Sequence, residues 1–331
     1  MPWQRRHPSK IDRALWLYWL DQMPEPSPYL LPEWSLFWER AWPGSRAEIW
    51  LAGDLERADG GVPLVRRRRL GMEWLFSLPY GTTGGWIGPA LGASAAGSPL
   101  LLEASWEDLL PTIITHRTVE VTMTAQSLLD CPPAWRSQQL THSSWIIDRR
   151  GAGQPGILSE VSESHRRNIE KGSHVQPELI EMKDPQAVAE MRSRFPAALR
   201  RISRFALHPQ RGSALVSVFA PGSAMRWLTA RVSGQPVATT VWLTHKDIAV
   251  YVDGASVRDD SAVGINHHLF ATMLTRLHNE GVRLFDLGAG PRGETSEGLA
   301  RFKEGWGAKP IQRIETRYRC SAYDWLRRLV P

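Results

Sequence analysis

The last third of the chain constrains the fold more than any other stretch, because its hydrophobic period changes element by element. Residues 226–232 and 237–244 flank Ser233-Gly234-Gln235-Pro236, which predicts a β-hairpin. A His245-Lys246-Asp247 turn leads into a third strand over 248–254. Over 264–279 the period lengthens: Ile265, Leu269, Met273 and Leu277 fall four residues apart, the buried stripe of an amphipathic helix. Gly281 ends it, and 282–287 reads as a strand again. A short helix near 297–303 and a strand over 311–318 complete the series. Strands alternating with single helices call for a mixed sheet with helices on its faces, so the expected class is α/β (an α+β mixed sheet).

The rest of the chain carries weaker signals of the same kind. Helical spacing over 9–42 breaks at Pro24-Glu25-Pro26-Ser27-Pro28, and strands follow over 47–51, 62–69 and 73–78. The run 66–69 is four arginines on one strand, read as a solvated edge. A glycine-rich loop over 78–89 suggests backbone that approaches something closely, yet it has neither the Lys-Ser/Thr of a phosphate-binding loop nor dinucleotide spacing. Residues 100–114 read as a helix, 119–123 and 144–147 as strands. A helix is expected over 157–171, with acids early, bases late and Gly172 as its stop, and another over 185–205. Gly60-Gly61-Val62-Pro63-Leu64-Val65 echoes Ser233-Gly234-Gln235-Pro236-Val237-Ala238, which suggests two related halves, 1–150 and 151–331.

Composition removes several function classes. Many of the 16 tryptophans crowd the first third (Trp3, Trp16, Trp19, Trp34, Trp38, Trp42, Trp50) and are read as core. Only Cys131 and Cys320 occur, with no CxxC, which argues against a disulfide framework or a cysteine zinc site. No apolar run reaches the length of a membrane span, so a cytoplasmic protein is expected. A net charge of +6, carried mostly by arginine, favours anionic partners: coenzyme A, a nucleotide-linked acceptor, tRNA or the inner membrane surface. No helix-turn-helix or zinc-finger pattern supports DNA binding. Nothing in the sequence fixes an oligomeric state.

Several segments together resemble a known family. Ser164-His165-Arg166-Arg167-Asn168-Ile169-Glu170-Lys171-Gly172 is similar to the R-x-x-I-x-K segment of FemABX-like proteins, a branch of the GNAT acyltransferase superfamily. Residues 264–286 resemble that family's G-x-N-x-L…FD-G helix and strand. Gly298-Leu299-Ala300-Arg301-Phe302-Lys303-Glu304-Gly305-Trp306-Gly307 resembles its G-L-x-R-F-K-x-G-F/W-G signature. The resemblance spans roughly residues 30–320. It implies tandem GNAT-like domains, the first a degenerate half, and transfer of an acyl group to an amine. The best-known relatives carry amino acids from aminoacyl-tRNA to a peptidoglycan precursor; others are acyl-CoA enzymes of exopolysaccharide pathways. A degenerate, non-catalytic binding subunit is a third expectation.

Amide formation needs a neutral amine held against a carbonyl and donors aimed at the developing oxyanion. In the GNAT fold a backbone N–H at a splayed central strand resembles such a donor, here near 251–254, so no catalytic dyad need show. By resemblance Lys303 matches a lysine that contacts the tRNA end, and Phe302 would pack on the terminal adenine. Asp286 and Asp253 are the candidate proton acceptors or orienting carboxylates. Expected substrate contacts are Arg301, Trp306, Tyr251, Asn266, His267, Tyr80 and Trp86, with Arg201 and Arg204, beside Arg200, near acceptor phosphates. The loop 256–263 departs from the acyl-CoA R/Q-x-x-G-x-G/A pattern, which favours tRNA or an atypical CoA site as donor, with no tightly bound cofactor. His267 and His268 are adjacent on a helix and point apart, which argues against a metal site.

Overall fold

The structure is a computed structural model. It describes residues 3–23, 25–53, 60–78, 84–88, 109–123, 134–151, 153, 155–182, 209–219, 224–257, 263–289 and 296–323. The chain divides into two compact units, Met1–His142 with Gln312–Pro331, and Ser143–Ile311.

In the first unit, β1 (Trp3–Arg6) is followed by α1 (Arg13–Asp21), α2 (Pro32–Ala41), β2 (Ser45–Ala52), β3 (Gly60–Arg69), β4 (Met72–Phe76) and β5 (Thr118–Met123). Asp12 caps α1 by accepting from the backbone N–H groups of Ala14 and Leu15, and Pro32 opens α2, where its missing N–H costs nothing. Trp16, Trp19 and Leu20, then Trp34, Phe37, Trp38 and Ala41, repeat at three- and four-residue intervals and are buried. Trp16, Trp19, Trp34, Trp38, Trp42 and Trp50 are therefore core, as expected, while Trp3 is half-buried against it. β1 to β4 are antiparallel neighbours, β4 and β5 are parallel, and β5 pairs with the last strand, β12 (Lys309–Cys320).

The arginine run departs from expectation. β3 lies between β2 and β4, so residues 66–69 are not an edge. Arg66 is buried, with Nε 2.9 Å from Glu48 Oε1, Nη1 2.8 Å from Glu73 Oε2 and Nη2 3.1 Å from the Ile113 carbonyl. Only Arg68 and Arg69 face solvent.

The second unit takes over within β6 (Trp135–Asp148) and continues through α3 (Glu163–His174), β7 (Glu178–Glu181), α4 (Pro209–Val218), β8 (Met225–Val232), β9 (Gln235–His245), β10 (Ile248–Ser256), α5 (Ile265–Asn279), β11 (Leu284–Ala289) and α6 (Ser296–Glu304). Its strand order is β6-β11-β10-β9-β8-β7, with one parallel pair, β10 and β11. Leu269, Phe270, Met273, Leu274 and Leu277 of α5 pack with Trp242, Ala249 and Phe285 of the sheet and with Trp306. Every strand and helix read from 226 to 318 is present within a few residues of its expected limits.

The earlier helix differs. Residues 157–160 form a turn, and α3 starts at Glu163, where the Ser162 hydroxyl accepts from His165 N. Gly172 lies inside α3 rather than at its end. A Cβ there would stand 2.3 Å from the Gly264 carbonyl oxygen, and Gly264 itself has φ +82° with the Asn168 carbonyl against its open side. The two glycines let α3 touch the start of α5, which is why neither position accepts a side chain. The expected helix over 185–205 lies outside the described residues, as does most of that over 100–114; 109–113 is helical.

Candidate active site

The chemistry-bearing residues of the second unit gather where β10 and β11 part. The two strands pair at Ile248–Leu284, Ala249–Phe285 and Val250–Asp286, yet β10 runs on to Ser256 and β11 to Ala289. Both outer ladders shift register at the same level: β10 against β9 between Tyr251 and Asp253, and β11 against β6 between Asp286 and Ala289. A bulge on each side turns the strands away from one another and opens a wedge. The splay expected near 251–254 is therefore present.

Lys303 reaches this wedge from α6. It is only 3% exposed, and its Nζ donates to the carbonyl oxygens of Gly288 (2.6 Å) and Ala289 (3.0 Å), just past the split. The Trp145 ring lies beneath the ammonium at 5.1 Å. A Cβ added to Gly288 would stand 3.9 Å from both Lys303 Nζ and the Tyr251 carbonyl oxygen, so the ammonium and the two strand backbones share one small volume. Burial pushes the ammonium down to about 8, with the Asp286 carboxylate opposing that shift.

Asp286 sits on the last paired rung. Its Oδ1 accepts 2.7 Å hydrogen bonds from the Ser144 hydroxyl and the Gly288 N–H, so the carboxylate is fixed at the apex of the wedge. Asp253 is buried just past the β10 bulge. Tyr251 is half-buried against Trp242 and Phe270.

Phe302 and Trp306 join Phe270, His165 and His267 in one aromatic cluster, with ring centroids 4.7–6.0 Å apart. His165 is the member that sequence reasoning missed. Its Nε2 lies 2.9 Å from the Phe302 carbonyl oxygen. A carbonyl only accepts, so Nε2 carries the proton and caps the end of α6 directly before Lys303. Burial lowers the His165 pKa, against the hydrogen bond to Phe302 that raises it, and His267 is held down to about 4 by burial and by His165. The ring also explains a glycine of the signature: a Cβ on Gly305 would stand 2.3 Å from His165 Cε1. His165 stood in a quoted motif, but its partner is 137 residues away, a distance no local pattern reports. Ser144 and Trp145 were invisible for the same reason.

The other expected contacts fall elsewhere. Arg301 is exposed and faces Glu297 at 3.9 Å, one turn back on α6. Asn266 is half-buried in the first turn of α5. Trp86 is buried in the core of the first unit, edge-on to Trp3 at 6.1 Å. Tyr80, Arg200, Arg201 and Arg204 lie outside the described residues, as do 258–262 of the loop before α5. Among the described residues no cluster of three or more His, Cys, Asp or Glu side chains could hold a metal ion, and no helix is long and apolar enough to cross a membrane.

Residues 159–304 match the family model described as Acetyltransferase (GNAT) domain. Among solved structures, the chain is similar to FemX, with a TM-score of 0.70 at 10% identity and 99% of each chain covered. A conserved protein of unknown function from Bacteroides thetaiotaomicron VPI-5482 matches with a TM-score of 0.62 at 12% identity, covering 97% of this chain and 99% of that one. A tandem GNAT protein from the clavulanic acid biosynthesis pathway matches with a TM-score of 0.53 at 13% identity, covering 96% and 97%. No curated protein sequence matches the chain. These likenesses establish a tandem GNAT-like fold.

Proposed function

We propose that this chain is a GNAT-type acyltransferase that transfers an aminoacyl group from aminoacyl-tRNA to an amine of an anionic or nucleotide-linked cell-envelope precursor, of the peptidoglycan kind. The observation that carries this reading is a buried lysine held at the mouth of the β10–β11 wedge. On this reading the second unit is the catalytic half and the first a degenerate one.

The amine must arrive neutral, its lone pair aimed at the ester carbonyl. As the N–C bond forms, negative charge gathers on the carbonyl oxygen, and backbone N–H groups of 251–254, released from the β10–β11 ladder, donate to it. Lys303 supplies positive charge beside the donor end, oriented by the Gly288 and Ala289 carbonyls, and Asp286 favours its charged form. The ester C–O bond then breaks, and the proton lost by the amine leaves on the ribose oxygen, with Asp253 near enough to the bulge to relay it. Phe302 offers a face for the terminal adenine, and Tyr251, His267 and Trp306 pack in the same aromatic cluster, with Asn266 beside His267 in the chain. Positioning supplies much of the acceleration, so no nucleophilic side chain is required. A charged tRNA as donor sets the reaction in the cytoplasm.

The sequence of 256–263, which lacks the acyl-CoA glycine pattern, favours tRNA. The acetyltransferase description of the matching family supports the second reading, an acyl-CoA donor and an amino-sugar or polysaccharide acceptor. Purified protein incubated with charged tRNA or with acyl-CoA, each with candidate amines, separates them by product mass. Transfer only from thioesters removes the tRNA reading.

A further inference from the structure

We propose that one end of the first unit's sheet is a docking surface for an anionic lipid bilayer, with Leu70 as its inserted tip. The start of β2, the end of β3 and the starts of β4 and β5 all lie at this end, as their registers require: Ser45 faces Arg67, Arg69 faces Met72, and Glu73 faces Thr118. The exposed side chains it presents are Arg46, Arg68, Arg69, Leu70, His116 and Arg117.

No exposed acid balances them among the described residues of these strand ends. The carboxylates nearby are turned inward and occupied. Glu39 takes the Ala47 N–H and His7, Glu48 takes Arg66, and Glu73 takes Arg66, Arg68 and the Thr115 hydroxyl. Arg68 is matched by Glu73, and Arg46, Arg69 and Arg117 leave the rim with a one-signed field, which fits an anionic surface.

Leu70 turns this charge pattern toward lipid. It is 85% exposed, the most exposed large apolar side chain described. It is also held at φ +51°, followed by Gly71 at +77°, so Leu70-Gly71 forms the tight turn of the β3–β4 hairpin with both residues left-handed. Asn, Asp or Gly fills the first of these positions at little cost, whereas leucine there is disfavoured by the backbone and by water together. Both penalties are offset if the side chain enters an acyl layer while the arginines beside it meet headgroup phosphates. A nucleic-acid backbone would satisfy the arginines and leave Leu70 unexplained.

The test is co-sedimentation of the full chain with vesicles of phosphatidylcholine alone or mixed with phosphatidylglycerol. Binding should require the anionic lipid and weaken with salt. Arg69→Glu should lower the partition coefficient by about tenfold or more, at roughly fivefold per unit of charge. Leu70→Asn should lower it severalfold while raising the melting temperature, since Asn suits the turn. No binding to anionic vesicles, or binding that Leu70→Asn leaves unchanged, overturns the proposal. So does loss of bulk-tRNA binding in Arg69→Glu with none in Leu70→Asn, which would assign the rim to RNA. Vesicle binding is read without any transfer reaction, so its failure leaves the catalytic reading untouched.

Discussion

The first unit buries Arg66 between two carboxylates, whereas the second buries Lys303 against two carbonyl dipoles. At Arg66, burial works against the charge, but Glu48 and Glu73 more than offset it, and the guanidinium is held more firmly protonated than in water. At Lys303, burial wins over Asp286, and the ammonium drops to about 8. One fold thus contains a charge that it supports and a charge that it resists. The supported charge reads as architecture. The resisted one is a cost to folding, and such costs persist where a site needs them.

The comparison breaks most visibly at Arg66. Arg66→Met removes the buried cation that Glu48 and Glu73 share, leaving Glu73 the exposed Arg68 and Glu48 only Arg5 at 3.5 Å, and should cost about 3 kcal/mol, read as a fall in the urea midpoint. Adding Glu48→Gln and Glu73→Gln should return much of that loss, because the penalty is uncompensated charge rather than lost packing. If the triple variant is no better than Arg66→Met, the network is not what the geometry implies.

Lys303→Met should act in the opposite direction on stability. The folded pKa of about 8 lies below the ordinary lysine value of 10.5, so the wild type carries a penalty that is full below pH 8 and fades as pH rises toward the unfolded value. Removing the ammonium should stabilise the protein at neutral pH by up to about 3 kcal/mol. Transfer should fall by about a hundredfold or more. With Lys303 acting as a cation, the wild-type rate should decline above pH 8, and the variant should lose that limb. A destabilised, fully active Lys303→Met would remove the contrast between the two units.

Gly305→Ala probes the same site through shape. The new methyl meets His165 at 2.3 Å, and overpacking of this kind costs about 1–3 kcal/mol. In a His165→Ala background the clash is gone, so the Gly305→Ala penalty should shrink, and a double-mutant cycle measures the coupling. The cycle also sharpens the claim that His165 acts on Lys303 through α6: loss of the Phe302 cap should reduce the transfer rate more than substrate binding.

How much of this was legible in the chain follows from the range of each interaction. The hairpin, α5 and β11 were readable because their periods and turn residues are local, and Ser233-Gly234 takes the left-handed turn that those residues favour. The four-residue strands β1 and β7 were not, being too short to show a period. The arginine run misled because alternation says which side chains share a face, while burial of Arg66 depends on Glu48, 18 residues back in the chain. At the site, Lys303 and Phe302 stood in a recognisable motif. His165, Ser144 and Trp145 join them only through tertiary contacts, which leave no trace in spacing.

The smallest expected effect concerns acid. Burial holds His165 and His268 below their ordinary values, and His267 down to about 4. In the folded state all three resist protonation more than they do in an unfolded chain, which begins to take up protons near pH 6.5. Folding stability contributed by this group is therefore complete above pH 6.5 and is lost as pH falls toward 4. For the partly exposed His267, solvent screening reduces the effect to about 1 kcal/mol, a shift of a few degrees in melting temperature. His267→Gln, which cannot charge, should flatten the slope between pH 6.5 and 4 without abolishing it, since His165 and His268 still titrate. The Arg66 network has the same sign but a lower window, because Glu73, whose burial is outweighed by hydrogen bonds from Thr115 and Arg66, is held below its ordinary value of 4.5. A slope that His267→Gln leaves unchanged would place the acid sensitivity outside the aromatic cluster, and the second unit would then resemble the first in having its titrating groups matched by their surroundings.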